Sequence, residues 1–311
     1  MRPEETDAIA EALGGAVRAV STLAGGFSHE TCLVTYAGGR AVARLGGPAP
    51  AVEAAVMEMA RRHVPVPEVL AVLPATERTR PAMLVEYVPG TLLDRVLATG
   101  DDGAGMRALG AEVGRVVAGI AAVRFDRRGF FTGDPPAVGP ERPWSEQLPA
   151  FAEKCMGATP GSRLDEAARR SWAGLCGAHA PALTAVDDHA RLVHADVNPK
   201  NILVARVGGG WRVEAVLDWE FAYSGCPYGD AANMARFGDG YPAAFLDGFG
   251  TGFADHRPAG SPLHEDWAYL GRVLDMFALS DLVTRPLGHP VADQAAERIR
   301  RWTTEGVPRS L

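Results

Sequence analysis

The chain has 311 residues, 47% of them hydrophobic, and a formal net charge of −7. That length accommodates two modest lobes meeting at a cleft or one large domain, and the acid excess argues against a nucleic-acid partner, which calls for a basic face. The longest apolar run, Val116 to Val123, falls far short of the roughly 20 residues of a membrane helix, and the acidic opening Met1-Arg2-Pro3-Glu4-Glu5 lacks the apolar stretch of a secretory signal. The expectation is therefore a cytoplasmic protein, monomer or homodimer, with a cationic or neutral small molecule as its partner and no membrane contact. Cys32, Cys155, Cys176 and Cys226 form no C-x-x-C pair and read as buried thiols rather than as a zinc site or disulfide framework.

In chain order, the spacing predicts a helix around Ala8 to Val17, then strands at Val20 to Ala24, Thr31 to Tyr36 and Arg40 to Leu45, with Ala37-Gly38-Gly39 as a hairpin turn. Helical periodicity follows from Ala51 to His63 and stops at Pro65 and Pro67. Strand-like runs at Val69 to Leu73 and Ala82 to Val88 close this part, and the character then changes. Met106 to Val123, Trp144 to Met156 and Arg163 to Val186 read as helices, and the glycine- and proline-rich Arg124 to Pro143 reads as a surface loop. Short strands return at Ile202 to Ala205 and Arg212 to Leu217. The expected fold class is α+β, a mainly antiparallel β lobe over residues 1–88 and a mainly α lobe over residues 89–311.

Between those last elements lies the chemistry. LVHADVNPKNILV, Leu192 to Val204, sets His194, Asp196 and Asn201 in the order H-x-D-x-x-x-x-N of the kinase catalytic loop. There the aspartate takes the proton of the attacking hydroxyl and the asparagine turns an oxygen to Mg2+. The apolar run Ala215-Val216-Leu217 then delivers Asp218 in LDWE, where kinases keep a metal-holding aspartate. Magnesium prefers hard oxygen ligands, so the pattern of carboxylates and an amide points to phosphoryl transfer. Taken singly, Asp196 could cap a turn and Asp218 end a strand; their joint order with Asn201 favours catalysis and metal binding. His194 reads as a brace for the loop, not a proton carrier. Arg44, in AVARL on the third strand, stands where protein kinases keep a phosphate-pairing lysine, and no lysine precedes Lys154 to supply that cation instead. The alternative is an exposed strand arginine.

On HADVNPKN and LDWE the sequence resembles the aminoglycoside phosphotransferase family, relatives of choline kinases and, more distantly, protein kinases, over nearly the whole chain. The resemblance implies a two-lobed protein-kinase-like fold with ATP or GTP in the cleft as phosphoryl donor. LAGGFSHET resembles the family's phosphate-covering loop, with Gly26 and Ser28 near the phosphates, though a plain Gly-Gly hairpin turn would look alike. Glu53 would orient the cation of Arg44, with Glu58 as competitor. AMLVEYVPG resembles the hinge, with the backbones of Glu86 and Val88 on the nucleobase. Asp230 resembles the aspartate that tethers the catalytic loop. Lys200 either reaches a transferring phosphate or is a solvated loop lysine.

The acceptor is a hydroxyl-bearing small molecule. Between Phe237 and Thr284 stand Asp239, Asp247, Asp255, Glu265, Asp266, Asp275 and Asp281 against only Arg257 and Arg272, which is either an acidic pocket for a cationic antibiotic or a set of solvated helix faces. An aminoglycoside or other natural-product kinase conferring resistance is the leading reading; the alternatives are a metabolic kinase for choline, a sugar or an amino alcohol, and a nucleotide-binding pseudokinase scaffold.

Overall fold

The computed structural model describes residues 1–23, 29–47, 50–99, 103–133 and 136–311. Helix α1 (Pro3–Ala12) leads into β1 (Val17–Thr22), β2 (Glu30–Tyr36) and β3 (Gly39–Leu45), followed by α2 (Pro50–Arg61), β4 (Val69–Leu73) and β5 (Ala82–Glu86). The helix begins and ends earlier than its sequence spacing predicts. Pro3 occupies its first turn, the Glu5 carboxylate accepts from the Arg2 backbone N–H at 2.8 Å, and Gly14 sits at φ +64, which frees Val17 for the sheet.

These strands form one antiparallel sheet in the order β1-β2-β3-β5-β4. Strand alternation gives the sheet two working faces. Ala43 and Leu45 pack with Ile9, Cys32, Val34 and Leu84 beneath α1, while Met83 and Val85 face Val56, Met57 and Ala60 of α2. Arg44 stands opposite Thr31 and Met83 in the register, between buried Ala43 and Leu45, so its side chain leaves the α1 core and points to the α2 side.

The chain continues through β6 (Thr91–Leu92), α3 (Leu93–Leu97) and α4 (Gly103–Ile120), then β7 (Gly129–Thr132), β8 (Ala137–Val138), α5 (Trp144–Ala158) and α6 (Glu166–His179). The segment expected as loop thus carries two short strands. The helix expected to run to Val186 instead tightens into a 3-10 turn over Ala180–Ala185, because Pro181 cannot supply the next α-helical N–H. After β9 (Arg191–Val193) come β10 (Ile202–Val207), β11 (Gly210–Val216) and β12 (Tyr223–Gly225), and then helices α7 (Tyr228–Ala235), α8 (Ala243–Asp255), α9 (Trp267–Leu282) and α10 (Pro290–Glu305). Two small sheets, β11-β10-β6 and β8-β7-β12-β9, frame the loop between β9 and β10.

The larger core gathers α4, α5, α6, α8, α9 and α10 around Phe245, Phe249, Phe253, Trp172 and Trp302. Within it α4 and α8 touch backbone to backbone: a Cβ at Gly110 or Gly114 would lie 2.1 or 2.2 Å from the Phe245 or Phe249 carbonyl oxygen, and one at Gly248 or Gly252 would meet α4 equally closely. All four cysteines are buried and free. Among the described residues no helix is long and apolar enough to cross a membrane.

Candidate active site

The loop from β9 to β10 is held by polar contacts that its own sequence supplies. Asp196 sits half-buried, and its two carboxylate oxygens accept separately, Oδ1 from Asn198 Nδ2 at 3.0 Å and Oδ2 from Asn201 Nδ2 at 3.0 Å. Both amides also donate to the Asp196 carbonyl, at 3.2 and 2.8 Å. Since each amide faces only acceptors there, its nitrogen must point to Asp196, and among the described residues the Asn201 Oδ1 accepts no hydrogen bond. Burial pushes the Asp196 carboxyl above the usual carboxylate range, opposed in part by Arg236 and the two asparagines.

His194 is fully buried and takes no part in the open face of this clasp. Its Nδ1 accepts from the Asp196 backbone N–H at 3.2 Å, which makes Nε2 the protonated nitrogen, and Nε2–H donates to the Leu217 carbonyl at 2.9 Å. The ring lies against Trp219 with centroids 4.5 Å apart. Burial lowers its pKa to about 4, so it is a neutral strut. Asp230, at the start of α7, accepts the backbone N–H groups of His194 and Ala195, both at 2.9 Å, while Asn233 donates to the Ala195 carbonyl. That tie holds Ala195 at φ 68, a left-handed conformation that alanine does not adopt unaided.

Asp218 follows β11 and has a φ of 66. The Leu217 N–H donates to the Asn201 carbonyl at 2.8 Å, so the strand end that carries Asp218 is fastened to the loop that carries Asp196. From the first sheet Arg44 reaches in, its two terminal nitrogens bonding the Glu53 and Asp218 carboxylates. Glu53, only 6% exposed, also accepts the Trp219 backbone N–H at 3.0 Å. His29 lies 3.3 Å from Arg44 through Nδ1 and 3.7 Å from Glu220 through Nε2, and the ligand atoms of His29, Asp218 and Glu220 fall within 4.8 Å of one another. Oxygen-rich and anionic, this corner has the donor chemistry that a hard divalent ion prefers.

Asp196, Asn201, Asp218, Arg44 and Glu53 therefore meet in one place. Glu58 does not: it is exposed and paired with Arg62 across one helical turn. Glu86 ends β5 and Val88 lies two residues beyond it, both outside that cluster; the Glu86 N–H is taken by the Glu68 carbonyl at 2.8 Å, whereas among the described residues the Val88 backbone has no hydrogen-bond partner. Gly26 and Ser28 lie outside the described residues. Lys200 is exposed, and only its backbone N–H is engaged, with the Asn198 Oδ1.

Five of the seven acids on the helical side are paired with arginines. Asp239 pairs with Arg298 and Arg301, Asp247 with Arg107, Asp266 with Arg309, Asp281 with Arg285, and Asp275 lies buried against Arg236. The arginines come from outside the Phe237–Thr284 window, so counting charge within it overstated the field. Asn198, His29, Glu220 and Arg236 are the residues that motif reading missed. Asn198 alone left a signal, since it lies inside the motif with its amide two residues beyond Asp196.

A five-stranded antiparallel sheet whose Arg44 meets Asp218 beside the loop that carries Asp196 and Asn201 has the arrangement of a protein-kinase-like fold. The chain belongs to the phosphotransferase enzyme family, whose pattern matches residues 19–263. It is a small-molecule phosphotransferase with an alcohol group as acceptor. Similar solved structures include a thermostable mutant of aminoglycoside phosphotransferase APH(4)-Ia in a ternary complex with ADP and hygromycin B, at 20% identity and a TM-score of 0.72 over 97% of this chain and 99% of that one. A provisionally assigned aminoglycoside phosphotransferase from Ralstonia eutropha gives 20% and 0.68 over 98% and 96%, and a provisionally assigned fructosamine-3-kinase from Thermobifida fusca 18% and 0.65 over 95% and 98%. At such identities the likeness extends to the fold. No curated protein sequence matches the chain.

Proposed function

We propose that the chain transfers the γ-phosphoryl group of ATP to a hydroxyl of a small natural product, with Asp196 as the general base. The observation that carries this reading is the double amide clasp on Asp196, which fixes the carboxylate while leaving the Asn201 Oδ1 without a hydrogen bond. The acceptor oxygen forms its bond to the γ-phosphorus as the bond to the departing ADP breaks, and the hydroxyl proton passes to Asp196. A carboxylate whose proton affinity is raised by burial is better suited to take that proton. Asn201 and Asp218 would hold magnesium, which when bound supplies charge neutralisation on the phosphates.

Arg44 would contact the phosphates, with Glu53 setting its orientation; its present bond to Asp218 has to be shared or exchanged when nucleotide arrives. Gly26 and Ser28 would cover the phosphates, and the backbones of Glu86 and Val88 would take the nucleobase, which places the lobe boundary at residues 88 and 89. GTP is the alternative donor, and a reaction that draws on either nucleotide belongs in the cytoplasm. For the acceptor, hygromycin B in the ternary complex of a similar fold supports an aminoglycoside or related antibiotic, with resistance as the outcome. The paired state of the helical acids favours a second reading, a neutral acceptor such as a sugar derivative, because little uncompensated negative charge is left to attract a polycation.

The deciding experiment measures nucleotide consumption and phosphoryl addition by mass spectrometry across aminoglycosides, other hydroxylated antibiotics, fructosamines and choline. Acceptor- and magnesium-dependent turnover is expected, falling by about 100-fold or more in Asp196→Asn while nucleotide binding persists. Full turnover by the folded Asp196→Asn protein would remove Asp196 from the mechanism, and turnover confined to fructosamines or choline would decide for the metabolic reading.

A further inference from the structure

A second polar recess, of about 250 Å³, opens where β9 begins, between that strand and the segment joining α8 to α9. It lies at the opposite end of β9 from the catalytic loop: Arg191 starts the strand, and His194 follows roughly 10 Å further along at about 3.3 Å per residue. Arg124, Arg191 and His189 bring positive or ionisable groups to its lining, and Phe125 and Pro262 bring apolar surface.

Two features of the arginines are unusual. Arg124 and Arg191 face one another directly across an isolated antiparallel bridge, a placement in which like charges repel. Among the described residues no carboxylate pairs with either. Arg191, 9% exposed, donates instead to the Ala121 carbonyl at 2.7 Å and the Gly260 carbonyl at 2.6 Å, and Arg124 donates to the Ala259 carbonyl. Burial, with Arg124 adding to it, lowers the proton affinity of Arg191. Asp188, the acid on the rim, is fully exposed and turned 3.6 Å from Arg128. Of the other buried arginines, Arg163, Arg236 and Arg298 pair with Asp293, Asp275 and Asp239, whereas Arg272, among the described residues, also lacks a carboxylate partner but faces no second arginine across a strand bridge. Here, among the described residues, no neutralising charge stands beside the pair, and each guanidinium keeps donors beyond those spent on carbonyls.

We propose that this recess is a binding site for a small oxyanion, inorganic phosphate or the phosphate of a small phosphomonoester, held between Arg124 and Arg191. Planar guanidinium donors match phosphate oxygens, and the volume admits a phosphate with a modest organic group beside it. Gly260 is part of the cradle, because a Cβ at that position would lie 2.6 Å from the Arg124 Nη2 and, at a φ of +69, strain the turn.

Isothermal titration of the full chain with inorganic phosphate, and in a second arm with glycerol phosphate, at constant ionic strength tests this. Saturable binding of one anion per chain is expected, weakened about tenfold or more in Arg124→Gln, which removes an exposed side chain and leaves the core intact. Gly260→Ala is expected to weaken it as well, by displacing Arg124, and Arg44→Ala is expected to leave it unchanged because Arg44 belongs to the cleft. Tighter binding of glycerol phosphate than of phosphate would mark a phosphomonoester as the ligand, and the reverse would mark free phosphate. No saturable heat in either arm, unchanged affinity in Arg124→Gln, or loss of binding in Arg44→Ala would each overturn the proposal.

Discussion

The loop between β9 and β10 and the helices that follow α7 treat charge in opposite ways. In the loop, Asp196, His194 and Asp230 are satisfied by amides and backbone groups, almost all within one short stretch and the helix behind it, so the acid is positioned without being neutralised. On the helices, acids are neutralised by arginines far away in sequence, as Asp239 is by Arg298 and Arg301. The group proposed as the general base is held by dipoles, and the groups that hold helices together are held by opposite charge. The first kind leaves a contiguous motif, and the second leaves only a composition.

Arg236 is where the two regimes meet, and breaking it carries the largest expected effect. It forms the buried pair with Asp275, and its charge also acts on Asp196. Arg236→Ala would strand the Asp275 carboxylate in the core and is expected to cost about 3–5 kcal/mol of stability in denaturant titrations. Asp247→Asn, which breaks an exposed pair with Arg107, should stay within about 0.5 kcal/mol. Comparable losses in both would show that burial does not separate the two kinds of pair.

A smaller effect is expected at Asn198, whose amide secures one oxygen of Asp196. Asn198→Ala should lower turnover by about tenfold, through loss of a charge-assisted hydrogen bond, with the nucleotide KM little changed. A change in KM with constant turnover would instead assign Asn198 to nucleotide binding.

The pH response sharpens the comparison further. His194 titrates near 4 in the folded chain and at an ordinary 6.5 when unfolded. Between those values the unfolded chain binds the extra proton, so this residue makes stability rise with pH through the window and fall as pH drops towards 4. Asp230, buried and raised to about 7, acts with the opposite sign over much of the same range. The difference in stability between wild type and His194→Gln isolates the histidine: it should climb by up to about 1.4 kcal/mol per pH unit between about 4 and 6.5 and be flat above. A flat difference throughout would mean that His194 is not held neutral by the fold.

Much of this was legible because the decisive residues are close in sequence. Asp196 and Asn201 share one loop, and the strand alternation that turns Arg44 away from Ala43 and Leu45 can be read from AVARL itself. What could not be read depends on which distant segments meet. Arg236 stands one residue before the stretch in which acids were counted and Arg285 one residue beyond it, so a window drawn on sequence separated partners that the fold joins. His29 and Glu220 carry no spacing relation at all, and they converge only because the first sheet lies against the end of β11. The early start of α1 was missed for a local reason: the proline and glutamate of its first turn outweigh the apolar spacing further on.

The glycine seam between α4 and α8 sets a mechanical condition on the helical part of the molecule. Helices separated by interlocking side chains can slide by trading one set of rotamers for another, but here backbone rests on backbone and there is nothing between them to repack. The two helices must travel as a single rigid strut. Any breathing that admits a bulky acceptor is therefore expected to come from segments that border this strut, and acquired substitutions that retune the acceptor have little room at Gly110, Gly114, Gly248 or Gly252, where even a methyl group would drive the helices apart.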